Sequence, residues 1–162
     1  MTPNVNEKIY IIISRIESFP DLFKINVQKV NDVENYLKNR FNCKFIPKDF
    51  ISFMNILDGL KVQDFNIFSV TEKDKDNVVM TFENYSKDED VEDYLNTNLS
   101  DIEDRLLFFA SDNAGGRFAF KTNVNDEKIY YLSNDNYSKI VEMDNFLDLL
   151  FDKINLHIEN KI

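Results

Sequence analysis

Leu106-Leu107-Phe108-Phe109-Ala110 is an unbroken apolar run bounded by polar residues, with Asp104-Arg105 before it and Ser111-Asp112 after. A strand with one face in water alternates apolar and polar side chains, so a continuous run of this length marks a strand covered on both faces. It is expected at the centre of a sheet. Ser111 to Gly116 reads as a turn and Arg117 to Lys121 as the next strand of an antiparallel pair. Asn123 to Glu127 turns again before a strand over Lys128 to Ser133. Asn134-Asp135-Asn136 makes a further turn before a short strand over Lys139 to Met143. The chain therefore predicts an antiparallel meander. Asp144 is placed to cap a closing helix whose Phe146, Leu149, Leu150, Ile154 and Ile158 share one face.

Helices are expected before the meander. Thr2-Pro3 suits a helix start, and Val5, Ile9, Ile12 and Ile16 recur at helical spacing until Pro20 ends the run. Lys24 to Val30 reads as a short strand. Asn31, three residues before Glu34, has the spacing of a capping box, with Val33, Tyr36, Leu37 and Phe41 as the apolar stripe behind it. Pro47 leads a second helix through Phe50, Phe53, Met54 and Leu57, which Asp58-Gly59 closes. Val62 to Val70 reads as a strand or an irregular buried edge. Val78, Phe82 and Tyr85 favour a helix by their offsets, although the span could equally be extended, and Ser86 to Asp104 reads as an acidic peripheral helix and loop. The fold class is α+β: an antiparallel meander packed against N-terminal helices and a C-terminal helix. Residues 1–162 form one domain, with 1–30 as an N-terminal extension.

Charge narrows the functions open to such a domain. Acidic residues number 29 against 19 basic, for a formal net charge of −10 and a pI near 4.6. Nucleic-acid binding depends on Lys and Arg displacing counterions from phosphates, and this balance works against it. Anionic membrane surfaces are disfavoured in the same way. A basic protein is the partner such a charge attracts. Cys43 is the only cysteine, so an intrachain disulfide is excluded and a reducing compartment is the default. The apolar run Ile9 to Ile13 is too short for a signal-peptide core or a membrane span, and the expected location is the cytoplasm.

Residue types that could carry chemistry each have a plainer reading. Asp112-Asn113-Ala114-Gly115-Gly116-Arg117 lacks the spacing of a dinucleotide or Walker loop, and it joins two strands, so a structural hairpin turn is expected. His157 borders the closing helix's apolar stripe and reads as boundary packing. Cys43, among aromatic residues, reads as a buried inert thiol. Asp88, Asp90 and Glu92 lack the glycine hinge and the terminal bidentate glutamate of a calcium loop, and a solvated acidic face is the better account. No cofactor and no metal are expected.

The order of these parts resembles the SUKH superfamily, the Smi/Knr-like proteins. In the first half the match is carried by Glu34, Ile46-Pro47, Phe50, Phe53 and Asp58-Gly59. In the second half it is carried by Leu107 to Asp112, Gly115-Gly116, Ile129-Tyr130 and the helix led by Phe146, and together these span most of Asp32 to Lys153. The chain departs from the pattern in having no Trp, in Asp58 where an Asn often precedes the glycine, and in Lys121-Thr122 where an Asp often follows the glycine-rich turn. The resemblance implies an α+β fold. For most bacterial members it implies an immunity protein that neutralises a toxin, many such toxins being nucleases, and for fungal relatives a regulatory scaffold.

Resemblance and charge together give a working expectation: a non-catalytic protein, monomeric or weakly dimeric, that grips a basic protein toxin. The expected contact is the acidic stretch carrying Asp88, Glu89, Asp90, Glu92, Asp93, Asp101, Glu103 and Asp104, joined by Glu83, Asp112 and Asp135 near the strand turns. Tyr85 and Tyr94 are its candidate aromatic anchors. An intracellular scaffold or adaptor is the alternative, and a carboxylate-dependent hydrolase a more remote one.

Overall fold

A computed structural model describes residues 4–25, 32–62, 65–70, 82, 106–112, 114–132 and 140–161. Helix α1 spans Val5–Ser18. It starts at Asn4, whose side chain accepts the Glu7 N–H while the Glu7 carboxylate accepts the Asn4 N–H. This capping box is the start signal seen here, whereas Thr2-Pro3 lies outside the described residues. Ile9, Ile12 and Ile16 are buried. Pro20 begins a short 3-10 turn, Pro20–Leu22, that leads into strand β1, Phe23–Ile25. The strand expected over Lys24 to Val30 is thus seen in its first part, the remainder lying outside the described residues.

Helix α2, Val33–Phe41, is capped by Asp32, which accepts the Asn35 N–H from a left-handed backbone with φ of 62°. Asn31, the expected cap, is not among the described residues. Helix α3, Lys48–Met54, has Pro47 at its cap position, one place earlier than a first helical turn. It ends at Asn55 and not at Leu57, because Ile56 and Leu57 turn back onto the Phe53 carbonyl. Asp58-Gly59 follows that turn, and Gly59 takes a φ of 95°, a value that suits glycine. The connection between α2 and α3 is tied to the sheet, since the Lys44 and Phe45 N–H groups both donate to the Thr122 carbonyl at 2.9 Å.

The expected strand or irregular edge over Val62 to Val70 resolves into a tight hairpin, β2 Leu60–Val62 and β3 Phe65–Ile67. Strands β4 Leu106–Asp112, β5 Arg117–Lys121, β6 Lys128–Leu132 and β7 Ile140–Asn145 continue it. The described strands form a seven-stranded antiparallel sheet in the order β1-β2-β3-β4-β5-β6-β7, so β4 is the middle strand. A bulge at Phe109 shifts its register against β5. Helix α4, Phe146–Lys161, closes the chain. Its capping side chain is Asn145, which accepts the Asp148 N–H at 3.0 Å, so the expected cap at Asp144 falls one residue early.

Helices α3 and α4 pack on one face of the sheet. Phe23 meets His157 of α4 edge-on, Phe65 lies under Lys153 of α4, and Phe109 and Phe120 pack on Phe50 of α3 and Phe146 of α4. Side chains alternate along a strand, so Lys24, Lys61, Asn66 and Arg117 fall on the opposite face. Phe82, the described residue of the span expected as a helix, is helical; it packs against Phe41 and Phe68 and donates to the Ser69 carbonyl. No helix among the described residues is long and apolar enough to cross a membrane.

Asp58 is 1% exposed, and its Oδ1 accepts the Val70 N–H at 2.6 Å, joining the turn before β2 to the chain leaving β3. Hydrogen bonds to a charged group contribute about 1.5–3 kcal/mol. Asp58→Ala should lower the free energy of urea unfolding by about that amount, and Asp58→Asn, which keeps an acceptor, by less than half of it. Equal losses in the two variants would mean that the acceptor is not what matters there.

Candidate functional site

Asp112 ends β4 and organises the hairpin to β5. Its Oδ1 accepts the Ala114 and Gly116 N–H groups at 2.9 and 2.7 Å, and its Oδ2 accepts the Tyr131 hydroxyl at 2.7 Å from the next strand over. Gly115 has a φ of 86°. Gly116 answers a different demand: a Cβ there would stand 2.0 Å from the Tyr131 hydroxyl oxygen. The paired glycines are thus a built turn, one for its backbone angle and one for clearance. Hydrogen bonding to the Asp112 carboxylate, with burial, pushes the Tyr131 hydroxyl up to about 12. The Asp112 carboxylate is committed to this internal network; it offers a partner its charge at the sheet's end more than open hydrogen-bonding capacity.

Of the residues expected to contact a partner, Asp112 alone is described. Glu83, Tyr85, Asp88, Glu89, Asp90, Glu92, Asp93, Tyr94, Asp101, Glu103, Asp104 and Asp135 lie outside the described residues. The structure does fix where that stretch is tethered. It connects β3 to β4, adjacent strands at the centre of the sheet.

A second acidic turn was not singled out from sequence. Asp126 accepts the Lys128 N–H at 2.9 Å and the Tyr130 hydroxyl, and Lys121 Nζ sits 4.6 Å over the Tyr130 ring. Desolvation acts to raise the Asp126 pKa, but the Tyr130 hydroxyl, the Lys128 amide and the charges of Lys121 and Lys128 together outweigh it and hold the carboxyl below its ordinary range. The signal in the sequence is Asp126 four residues before Tyr130, a spacing with no special meaning until the strand turns back.

Beside this turn is an open groove of about 420 Å³ lined by Glu127, Lys128, Glu142, Met143 and Asn145, with Lys128 and Glu142 ion-paired across the β6–β7 ladder. Asp49 is buried nearby at the start of α3. Its carboxylate accepts the Phe50 N–H at 2.8 Å and is also hydrogen-bonded by the Leu147 amide of α4, so it joins the first turns of two helices. Burial raises its pKa; the two amides work against this, and the charge of Glu127 adds to it. Hydrolysis by paired carboxylates needs one acid and one base free to face a substrate. Asp49, with its oxygens held by helix amides, is placed for a structural task.

His157 Nε2 donates to the Leu22 carbonyl at 2.9 Å, with Phe23 edge-on to its ring. It is buried between α4 and the 3-10 turn, slightly deeper than the border position expected. Cys43 is a buried thiol whose Sγ donates to the Phe41 carbonyl at 3.8 Å. No group of three or more His, Cys, Asp or Glu side chains among the described residues is arranged to hold a metal ion.

The raised pKa of Asp49 has a sign for stability. A proton binds this group more tightly in the native state than in the unfolded chain, so its contribution is fully present below the ordinary value of 3.8 and is lost as pH rises through the raised one. The unfolding free energy of the wild type minus that of Asp49→Asn should therefore fall as pH rises from below 3.8 and then level off. Urea melts across that range measure the difference; a pH-independent value would remove burial as the governing influence on this carboxyl.

Comparison with known proteins now bears on these features. The model of the family described as SUKH_6, SMI1-KNR4 cell-wall, matches residues 27–150, which include α2, α3, the whole β2–β7 meander and the start of α4. A search of curated proteins finds no match. The chain belongs to the SMI1-KNR4 family of the SUKH superfamily.

Proposed function

We propose that this protein is a non-catalytic immunity protein that neutralises a basic protein toxin, of the nuclease class, by covering it. The observation that carries the reading is the family match over residues 27–150, because SUKH proteins are generally binding modules without catalytic machinery. The net charge of −10 supports a basic partner. A nuclease must present a basic surface to hold its substrate, and an acidic body can be drawn to that same surface.

The acidic stretch Asp88 to Asp104 is the proposed contact, with Glu83, Asp112 and Asp135 adding charge and Tyr85 and Tyr94 as anchors. Two features support this placement. The stretch lies in the connection between β3 and β4, two paired strands at the centre of the sheet, so the fold fixes where that connection leaves and rejoins it. Asp112, fixed by the Gly116 amide and the Tyr131 hydroxyl, holds a negative charge at the end of the same β4 strand.

Co-expression with the product of the adjacent open reading frame tests both the class and the location. Growth arrest caused by that product should be relieved by the wild-type chain. A variant reversed in charge at Asp88, Asp90 and Asp93 should rescue less well, with slower association and a weaker dependence on salt. Rescue unaffected by the reversal would reject the location. Several moderate-affinity partners in a pull-down, with no rescue of any toxin, would favour a regulatory scaffold.

A further inference from the structure

The sheet face turned away from the helices carries a concentration of cations that the acidic composition conceals. Strand register places Lys24 opposite Lys61, Lys61 opposite Asn66, Asn66 opposite Ser111 and Ser111 opposite Arg117, a single row across β1 to β5. Residues paired in this way point to the same side of a sheet. Neighbouring strands are about 4.8 Å apart, so Lys24 and Arg117 are on the order of 19 Å from each other. Lys121 and Lys128 lie on the same face further along β5 and β6.

Part of this charge is already engaged. Arg117 donates to the Gly115 carbonyl, Lys121 covers the Tyr130 ring, and Lys128 pairs with Glu142. The Lys24–Lys61 end differs. Among the described residues neither lysine is in an ion pair, and like charges directly opposite on adjacent strands repel. Beyond them the row is closed to a ligand, Asn66 being half-buried with its Oδ1 out of water and Ser111 buried. The two unneutralised ammonium groups facing each other across β1 and β2 form a surface that lacks anions.

We propose that the Lys24–Lys61 end of this row is a second interaction surface, opposite in sign to the acidic one, that docks a short acidic segment of a partner protein. Carboxylates neutralise Lys24 and Lys61 and remove their mutual repulsion. Net charge points the same way: a long polyanion is repelled by a body of charge −10, whereas a few carboxylates presented at close range feel mainly the local lysines. The row is independent of the contact proposed for the toxin.

The test uses the full chain and a fluorescein-labelled hexaglutamate peptide, followed by anisotropy at two salt concentrations, beside a labelled single-stranded oligonucleotide of equal charge. Peptide binding should weaken as salt rises. It should fall about tenfold in K24E/K61E and stay unchanged on reversing Lys8, which lies on α1 away from this face. Lys61→Glu alone provides the control for folding, since it sets opposite charges against each other on β1 and β2: its melting temperature should be no lower than wild type while peptide binding drops. Peptide binding that is undetectable in the wild type, unchanged in K24E/K61E, or weaker than binding of the oligonucleotide would overturn the proposal.

Discussion

The fold depends on the aromatic junction where α3 and α4 meet the middle of the sheet. Phe50 and Phe146, one from each helix, close edge-on to one another at 5.1 Å, and both pack on the parallel pair Phe109 and Phe120, whose ring centroids are 4.1 Å apart. Each such contact contributes about 0.5–1.5 kcal/mol beyond the area it buries. The bulge at Phe109 belongs to this arrangement, because it directs an additional aromatic ring on β4 toward the helices. With this junction formed, α3 and α4 begin side by side, and Asp49 can join their first turns from within the interface.

From that junction follows a division of labour between the two sides of the sheet. One side is closed by helices and filled with phenylalanine. The other presents the cationic row, and at the strand ends lie turns whose carboxylates are wired to tyrosines: Asp112 to Tyr131 and Asp126 to Tyr130. These tyrosine–carboxylate pairs hold the hairpins in shape, and a rigid rim suits a protein that acts by presenting a surface, since little conformational freedom is lost on contact. An acidic whole with a basic face is also better suited to discriminating among partners than a body of uniform sign, because wrong approaches are penalised by repulsion.

Much of the architecture was legible because apolar periodicity is a local property. Leu106 to Ala110 announced the central strand, and the strands after it followed from alternation and turn residues. The caps were each displaced by a residue or more, to Asn4, Asp32 and Asn145, since several polar side chains stood near each helix start and only geometry selects among them. Asp58-Gly59 was read as a helix stop, but the carboxylate's hydrogen bond to Val70, twelve residues on, is a tertiary contact with no local signature. The same limit hid the cationic row, whose members are scattered from Lys24 to Arg117 and become neighbours only through register. Of the expected partner contacts, Asp112 was noticed for its charge, while its task in the hairpin depended on Tyr131, nineteen residues away.

The central claim is that the protein works by occupying its target's surface and not by altering it. Titrating a fixed amount of the proposed target toxin's activity with increasing amounts of this chain measures that directly. Inhibition should be complete near one molecule per toxin molecule, and full activity should return when the complex is dissociated in high salt. Loss of activity at far below equimolar amounts, or a toxin that stays inactive after separation, would show that the chain chemically modifies its target and would contradict the account.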